Sequence, residues 1–449
     1  QLRGFFITNS EFLNFFLKDP NVKIIFDLAL DVNAEIWIVG GAIRDFLINK
    51  EIKDIDFAVN MNIILFLKKI KNKKIKTITR NIDYNTISLI LNNKEYQITS
   101  LRTDLISFGR QAYVGLTNNI EVDANRRDFT VNALYLDVLG QLFDPFNGLE
   151  DIRKRKLRFI GDPIKRFEED YLRIIRFCRF YAFFSKKNIS DTFRKKIALK
   201  LNNIQLLSNK RMKDELTKIF NNHNFQISLS MIRKLALDKY ILLDKKNRKN
   251  TKIHDGFKVD NFKTVKYIKT FGSNTISEAK LDLLSVLMPH LYYFDQLENI
   301  ISRFELSKKT RAYYNFLKLI ENLYSEIDIE DFLLTNKKNK KIKIFKTIWK
   351  MRNKIDCVFN LVPAKNRIPI SWCKLGLFHI FPFFVLKELD ILNIEMPKCP
   401  IRRNDVIEIC KINDYKQINI LLLKGEEFWV NNNFSPSLEE TLFFLKSTL

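Results

Sequence analysis

Two short apolar runs near the start of the chain have the residue pattern of β-strands. Glu35–Val39 (EIWIV) and Asp56–Val59 (DFAV) are both β-prone. Between them, the pair Gly40–Gly41 is followed by Ala42–Ile48 (AIRDFLI), in which apolar positions recur at helical spacing. The pattern therefore predicts a strand, a glycine turn, a helix and a second strand.

The pattern changes beyond residue 162. Eight of the twelve glycines lie before that point, so tight turns are expected mainly in the first third. No proline occurs between Pro163 and Pro289 or between Pro289 and Pro363, and Leu, Ile, Phe and Lys recur there at helix-like spacing. We therefore predict an α+β fold class, with a mixed α/β first third and a mostly α-helical remainder.

The length and charge of the chain narrow its possible partners. With 449 residues, 46% of them hydrophobic, the chain is expected to form more than one domain. Its net charge of +25 favours a polyanionic partner, either nucleic acid or an anionic membrane, and charge alone does not choose between them. The longest uncharged apolar run, residues 375–386, has 12 residues, whereas about 20 are needed to span a bilayer. We interpret this run as part of a core.

The cysteines favour a reducing compartment. Their number, five, is odd and they form no C-x-x-C pair, which argues against a disulfide framework and a zinc site. Asn9, Glu11 and Lys18 interrupt any apolar core of a signal peptide, and we predict a cytoplasmic protein. The histidines are scattered, and His254–Asp255 lacks the further histidines of a metal-dependent phosphohydrolase, so no such activity is expected.

The strand–turn–helix segment and the residues after it suit phosphoryl transfer. Backbone N–H groups at Gly41 would face a triphosphate without a side chain in the way, and Arg44, one turn later, could reach the same oxygens. Period-two alternation would place Asp54 and Asp56 on one face of the second strand. Two such carboxylates can bind a pair of Mg²⁺ ions that activate an attacking 3′-hydroxyl and stabilise the leaving pyrophosphate. The alternatives are an ordinary turn and an exposed strand edge.

A third segment, around residues 170–182, has two distinct helical faces. Four charged positions fall within about half of the helical circumference, and the apolar positions occupy an arc of roughly 120° on the other side. An aspartate that accepts and an arginine that donates can pair with the amino group and ring nitrogen of cytosine or adenine, whereas uracil and guanine present the opposite pattern. The alternative is a surface salt bridge. The charged positions are Asp170, Arg173, Arg176 and Arg179, and the apolar ones are Tyr171, Ile174, Ile175, Cys178, Tyr181 and Ala182.

Five sequence blocks between residues 38 and 216 resemble, in order, those of class II (bacterial-type) tRNA nucleotidyltransferases and bacterial poly(A) polymerases of the DNA polymerase β superfamily. Beyond residue 216 the likeness thins. The blocks are VGGAIRD (39–45) with DID (54–56), RRDFTVNAL (126–134), DPFNGLED (144–151), EDYLRIIR (169–176) and SNKRMKDEL (208–216).

This resemblance implies a nucleotidyltransferase head over residues 1–150, a helical neck with the base-selection helix over residues 151–225, and a helical body and tail over residues 226–449. It implies template-independent addition of CCA to the 3′ end of tRNA from CTP and ATP, with Mg²⁺ as cofactor and pyrophosphate as product. The body and tail would hold the tRNA acceptor arm, and neither a membrane nor an obligatory protein partner is expected. The alternatives are CC-only or A-only addition, poly(A) addition, and a non-catalytic RNA-binding relative.

The resemblance also implies a role for each candidate residue. Asp54 and Asp56 would be the catalytic and metal-binding carboxylates. The nucleotide would be bound by Gly41, Arg44 and Arg127 at the triphosphate, by Asp128 and Asn132 near the sugar or between domains, and by Asp170 and Arg173 at the base, assisted by Arg176 and Arg179.

Two further features qualify this interpretation. Gln97 stands where the family often has a third carboxylate, and glutamine is a poor ligand for a hard cation. We favour a dispensable third carboxylate; the alternatives are that Asp104 takes part of its role or that catalysis is impaired. The basic stretch Ile152–Arg158 (IRKRKLR) is a candidate for phosphate contacts.

Overall fold

The computed structural model describes residues 9–73, 75–108, 111–184, 189–242, 306–324, 334–353, 370–379, 383–412 and 414–448, together with residues 268, 276, 303 and 304. The chain forms two compact units, Gln1–Lys249 and Asn250–Leu449. The boundaries predicted at residues 150 and 225 both fall inside the first unit and stay predictions. His254–Asp255 lies outside the described residues, as does the side chain of Asp104.

A seven-stranded mixed sheet is the centre of the first unit. Its strands lie in the order β3-β4-β5-β2-β1-β8-β9, and β2 and β5 are its parallel pair. The strands β6 and β7 form a separate antiparallel hairpin. The strand bounds are β1 Ile36–Val39, β2 Asp56–Val59, β3 Lys76–Ile78, β4 Thr86–Leu91, β5 Lys94–Ser100, β6 Arg102–Phe108, β7 Gln111–Leu116, β8 Tyr135–Leu136 and β9 Leu142–Phe143.

The predicted strand–turn–helix is confirmed, within one residue at each end. Strand β1 is buried along its length and runs antiparallel to β2, with Val39 opposite Asp56. Gly40 has φ +62°, and a Cβ there would lie 3.0 Å from the backbone oxygen of Asn132. Only glycine fits this turn without strain. The helices before β5 are α1 Asn9–Leu17, α2 Pro20–Asp31, α3 Gly41–Leu47 and α4 Ile63–Ile70.

The described residues of the first unit are mostly helical after residue 162, as predicted, and two short helices, α5 and α6, precede that point. Helix α8 packs against α10 and α11, so its apolar face lies between neighbouring helices. The helices are α5 Ile120–Asn125, α6 Gly148–Arg153, α7 Pro163–Glu169, α8 Leu172–Phe184, α9 Asp191–Ala198, α10 Asn209–Phe220, α11 Phe225–Lys234 and α12 Asp238–Leu242.

The helix predicted from Asp170 onward begins two residues later. Asp170 is extended, with φ −155° and ψ 105°, and its carboxylate accepts a hydrogen bond from the N–H of Leu172 at 3.1 Å. Because the first N–H groups of a helix have no partner within the helix, a carboxylate at this position favours a new helix start over continuation of α7. The predicted apolar face is confirmed except at Tyr171, which is half-buried; Ile174, Ile175, Cys178, Tyr181 and Ala182 are buried.

Among its described residues, the second unit consists of helices joined by turns and loops, without a strand. Its helices are α13 Lys308–Tyr324, α14 Lys337–Asn353, α15 Ile370–Gly376, α16 Phe383–Glu388, α17 Arg403–Cys410, α18 Tyr415–Asn431 and α19 Leu438–Ser447. Helices α17, α18 and α19 share a core that includes Val406, Ile418 and Leu445. In the apolar run at residues 375–386, Leu375, Leu377 and Leu386 are buried, as expected of a core segment. Within the described parts of the chain, no helix is long and apolar enough to span a membrane.

Candidate active site

The two candidate catalytic carboxylates lie at the start of β2. Asp56 is the first residue of the strand and is half-buried, whereas Asp54 lies in the exposed loop before it. Burial raises the pKa of Asp56, and the charge of Asp54 raises it further. The strand has its predicted bounds, but the prediction that Asp54 also lies on it is wrong. The two carboxylates do lie close enough to interact electrostatically. Among the described residues no cluster of three or more possible metal ligands occurs, so the candidate metal site is this pair.

Gln97 lies on the neighbouring strand, at the same end as Asp56. It precedes Ile98, which pairs with Phe57 across the parallel β2–β5 ladder. Gln97 is exposed. A neutral residue therefore stands beside Asp56 on the neighbouring strand, and the dispensability of a third carboxylate stays a prediction.

Ten of the eleven predicted site residues line one cleft of about 400 Å³, which we call the first cleft. It lies between the sheet and helix α8. Residues separated by more than a hundred positions in the sequence therefore converge on one space, and their roles stay predictions. The ten are Gly41, Arg44, Asp56, Arg127, Asp128, Asn132, Asp170, Arg173, Arg176 and Arg179.

Asp54, the eleventh, lines a second cleft of about 630 Å³. Four residues border both clefts, namely Gly41, Arg44, Asp56 and Arg179. Asp56 therefore stands where the two clefts meet.

A buried carboxylate that the sequence analysis missed holds two arginines of the first cleft. Asp123 accepts hydrogen bonds from Arg126 at 2.8 and 3.0 Å and from Arg127 at 3.2 Å, and it also accepts one from the Tyr135 hydroxyl at 2.7 Å. Burial raises the pKa of Asp123, but the charges of the two arginines outweigh it and lower the pKa to about 2. The available signal was the spacing, since Asp123 precedes the arginines by three and four residues, although both arginines lie just beyond the end of α5 at Asn125.

Replacing Asp123 by asparagine is expected to weaken nucleotide binding and to change acid stability. Without the charge of Asp123, Arg127 loses its ion pair and keeps only its hydrogen bonds to the Tyr135 hydroxyl and the backbone oxygen of Asn132. We expect the KM for the nucleotide to rise by about tenfold. The carboxyl has a pKa of about 2 in the folded protein and an ordinary value of 3.8. Its contribution to stability is therefore present above about pH 4 and is lost as the pH falls toward about 2. Urea unfolding of both proteins between pH 6 and pH 3 measures this, and an equally steep loss in the variant would contradict it.

Asp128 links residues 128–132, the segment between α5 and β8, to helix α8. Its carboxylate accepts hydrogen bonds from Arg176 at 2.7 Å and from the Asn132 side chain at 2.9 Å, and the residue is 6% exposed. Burial raises the pKa of Asp128, but the charge of Arg176 and these hydrogen bonds lower it to about 2. The side chain of Asn132 in turn accepts a hydrogen bond from Arg44. One chain of contacts therefore connects α3, residues 128–132 and α8.

The predicted base-reading residues are each held by another side chain. Asp170 accepts a hydrogen bond from Arg211 at 2.7 Å. Arg173 forms an ion pair with Glu169 and donates to the backbone oxygen of Arg126 at 3.0 Å. The alternative was a surface salt bridge between Asp170 and Arg173, but each of them instead pairs with another residue, Arg211 and Glu169 respectively. Both side chains line the first cleft.

Phe180 is a second feature that the helical pattern did not reveal. Three guanidinium groups lie over its ring, those of Arg179 at 4.1 Å, Arg44 at 4.8 Å and Arg176 at 5.6 Å from the centroid. Cation–π attraction offsets part of the repulsion among these like charges. Burial lowers the pKa of Arg179, which also forms an ion pair with Glu215. The cleft therefore concentrates positive charge and suits a polyanionic ligand such as a triphosphate.

Comparisons with known proteins show what the chain is similar to. Residues 36–158 match the family model of the poly A polymerase head domain. CCA tRNA nucleotidyltransferase 1, mitochondrial, of Homo sapiens is 38% identical over 177 residues, which are 39% of this chain and 40% of that protein. The CCA-adding enzyme of Streptococcus uberis is 36% identical over 200 residues, 44% of this chain and 48% of that enzyme. The resemblance drawn from the motifs is thus confirmed, although each match spans less than half of the relative.

Solved structures resemble the chain over its length. The Thermotoga maritima CCA-adding enzyme complexed with tRNA has a TM-score of 0.66 at 17% identity, covering 100% of this chain and 99% of that one. The Bacillus stearothermophilus CCA-adding enzyme in complex with CTP has a TM-score of 0.57 at 19% identity, covering 96% and 97%. At such identities the likeness shows the fold, and it confirms the predicted mixed head with a mostly helical remainder.

Proposed function

We propose that this protein adds CCA to the 3′ end of tRNA, without a template, from CTP and ATP. The observation that carries the proposal is the convergence in one cleft of Asp56, a glycine turn and an arginine cluster, next to the acid–arginine pair Asp170 and Arg173. Relatives that match 39% and 44% of the chain are named as a CCA tRNA nucleotidyltransferase and a CCA-adding enzyme, which supports the same reaction. We place it in the cytoplasm, since the cysteine pattern favours a reducing compartment.

In this reaction the 3′-hydroxyl of the RNA attacks the α-phosphate of the nucleotide. A bond from O3′ to the α-phosphorus forms, the bond from that phosphorus to the bridging oxygen breaks, and pyrophosphate leaves. Asp54 and Asp56 would hold Mg²⁺, because hard carboxylate oxygens suit this cation and the two carboxylates lie close enough to interact electrostatically. Bound there, Mg²⁺ would activate the hydroxyl and stabilise the charge that develops on the phosphate.

The remaining residues of the first cleft would bind and orient the nucleotide. Gly41 leaves space for phosphate oxygens beside the backbone of the turn, and Arg44 and Arg127 supply the opposing charge. Asp128 and Asn132 would set the position of the sugar. Their hydrogen bonds to each other and to Arg176 fix residues 128–132 against α8. Arg176 and Arg179 would add positive charge beside the phosphates.

The choice of base would depend on the hydrogen-bonding groups of Asp170 and Arg173. Asp170 accepts from the amino group of cytosine or adenine, and Arg173 donates to the neighbouring ring nitrogen. Uracil and guanine would place a carbonyl against the carboxylate and an N–H against the guanidinium, which leaves polar groups unpaired. Residues 226–449 would hold the acceptor arm of tRNA; the related Thermotoga maritima enzyme, similar in fold, is complexed with tRNA.

Substituting both base-reading residues is expected to reduce nucleotide selectivity. We expect the wild-type protein to prefer CTP over UTP by at least about 100-fold, and Asp170→Ala/Arg173→Ala to lower that ratio to below about 10-fold. Competition between labelled CTP and UTP for a tRNA transcript that ends before CCA measures the ratio. Glu168→Gln is the matched control, because Glu168 pairs with Lys200 outside the first cleft. An unchanged ratio in the double variant would refute this assignment.

A further inference from the structure

We propose that Lys50 is a site of covalent acylation by anionic acyl donors, of which an acyl phosphate is the simplest. The residue follows helix α3 and lines the second cleft. The proposed reaction gives this lysine no role, so the inference adds a covalent modification of the chain and does not depend on that reaction. It is supported by the fixed position of the lysine, the surroundings of its ammonium group and the charge of the cleft.

The backbone of Lys50 is fixed by the end of helix α3. The N–H of Lys50 donates to the carbonyl oxygen of Asp45 at 2.8 Å, and the N–H of Asn49 donates to that of Phe46 at 3.1 Å. Asn49 has φ +56°, in the left-handed region that asparagine tolerates. These two hydrogen bonds and the left-handed residue form a Schellman motif, a common end of an α-helix. The side chain of Lys50 therefore begins from a defined position on the wall of the second cleft.

The ammonium group of Lys50 is accessible. The residue is exposed, and within the described part of the chain its ammonium group forms neither a hydrogen bond nor an ion pair. It lies 4.6 Å from the ring centroid of Phe183, which also lines the second cleft. By contrast, Lys200 in the same unit is paired with Glu168 at 2.5 Å. The nitrogen of Lys50 is therefore free to reach a molecule in the cleft.

The surroundings of Lys50 favour its neutral, nucleophilic form. Although the residue as a whole is exposed, burial around the ammonium group lowers the pKa of Lys50. The positive charges of Arg44, Arg179 and Lys53 lower this pKa further, and the charge of Asp45 offsets part of the shift. A lysine next to other cationic groups carries more of the neutral amine at a given pH, and the neutral amine is the form that attacks carbonyl carbon.

The charge of the second cleft would attract an anionic acyl donor. Six lysine and arginine side chains line it, against four carboxylates. Arg155, from the basic stretch Ile152–Arg158, is exposed and is one of the six. An acyl phosphate carries its negative charge on the leaving group, so cations near the amine can bind that group and stabilise the charge that develops on it. Binding and reactivity are therefore favoured at the same place.

The reaction transfers the acyl group to nitrogen. The lone pair of the Lys50 amine attacks the carbonyl carbon of the acyl phosphate, an N–C bond forms, and the bond from that carbon to the phosphate oxygen breaks. Phosphate leaves with the electron pair, and the proton lost from nitrogen passes to solvent. The amide that forms has no charge, so the cleft that Asp54 and Asp56 line loses one of its six cations. Acylation is therefore expected to lower nucleotide incorporation.

Mass spectrometry of the full chain treated with acetyl phosphate tests the site directly. The acetylated fraction is followed over time at Lys50 and, in the same sample, at Lys195, an exposed lysine of α9 that lines neither cleft. We expect Lys50 to react at least about tenfold faster. Added salt should slow the reaction of Lys50 with acetyl phosphate by about threefold more than its reaction with a neutral acetyl ester. Equal rates at the two lysines would overturn the proposal, and an equal salt effect with both donors would overturn the capture of an anionic donor.

Activity measurements test the consequence of the modification. Acetyl phosphate should lower CTP incorporation by the wild-type protein in proportion to the acetylated fraction of Lys50. The same treatment should not change the rate of Lys50→Arg, which keeps the charge and forms no stable amide with the donor, whereas Lys195→Arg should lose activity as the wild-type protein does. Loss of activity in Lys50→Arg would contradict the expected effect. If the untreated wild-type protein incorporates no nucleotide, the proposed function fails instead, and the mass spectra alone decide whether Lys50 is acylated.

Discussion

Replacing Asp54 and Asp56 together by asparagine is expected to lower nucleotide incorporation by at least about 1,000-fold. The amide side chains keep the size of the carboxylates but lose the charge that would bind the metal and stabilise the transition state. The rate of CTP incorporation into a tRNA transcript, measured at saturating nucleotide and RNA, gives the comparison. Asp191→Asn is the matched control, since Asp191 is exposed on α9 and lines neither cleft. Gln97→Glu separately tests the third carboxylate, and we expect near wild-type turnover because we favour a dispensable one.

The same asparagine variant is expected to be at least as stable as the wild-type protein. Because the pKa of Asp56 is raised in the folded state, ionisation of this carboxyl lowers stability as the pH rises through that value. Asparagine removes this cost at neutral pH. Full activity in the asparagine variant would contradict the assigned chemistry. A greatly raised turnover of Gln97→Glu would contradict only the prediction that the third carboxylate is dispensable. Unfolding of the asparagine variant at a lower temperature than the wild-type protein would contradict the predicted gain in stability.

Replacing Asp128 by alanine is expected to destabilise the protein by about 1–3 kcal/mol, because the half-buried Arg176 and the buried Asn132 both lose the carboxylate to which they donate. Activity should fall as well, since the contact that joins residues 128–132 to α8 positions the walls of the first cleft. Urea unfolding at neutral pH measures the loss. Asp128→Asn is the milder variant for activity measurements if the alanine variant does not fold.

A double-mutant cycle separates the ion pair from simple loss of packing. Asp128→Asn/Arg176→Met should be less destabilised than the sum of the two single variants, because neither charge is then left unpaired. The pH gives a second check. The pKa of Asp128 is about 2 in the folded protein, below its ordinary 3.8, so its contribution is present above about pH 4 and is lost as the pH falls toward about 2. Additive effects in the cycle would show that the pair is not coupled.

The local elements of the head could be predicted from the sequence because their signals are local. The apolar runs that became β1 and β2 and the glycine turn between them depend on neighbouring residues, and the register with Val39 opposite Asp56 then brings the turn beside the carboxylate. The apolar face of α8 was likewise predictable, because Ile174, Ile175 and Cys178 follow the helical period.

The contacts that hold the site could not be predicted in the same way. Arg211 binds Asp170 across 41 positions and Glu215 binds Arg179 across 36, and no local pattern encodes such pairings. The break at Asp170 was missed because the charged face of a continuous helix and a capping carboxylate give the same sequence pattern. Phe180 was missed because it lies among the charged positions of the helix and is buried by the arginines that cover it.

The measurement that tests the central proposal most directly is incorporation of labelled CTP and ATP, separately and together, into tRNA transcripts that end before CCA, after C and after CC. The account predicts ordered addition of C, C and A that then stops, and loss of all incorporation in Asp54→Asn/Asp56→Asn. Addition of C only, of a single A, or of a long A tail would contradict CCA synthesis and move the function to the corresponding relative. No incorporation by the wild-type protein on any transcript would contradict the proposed catalysis itself.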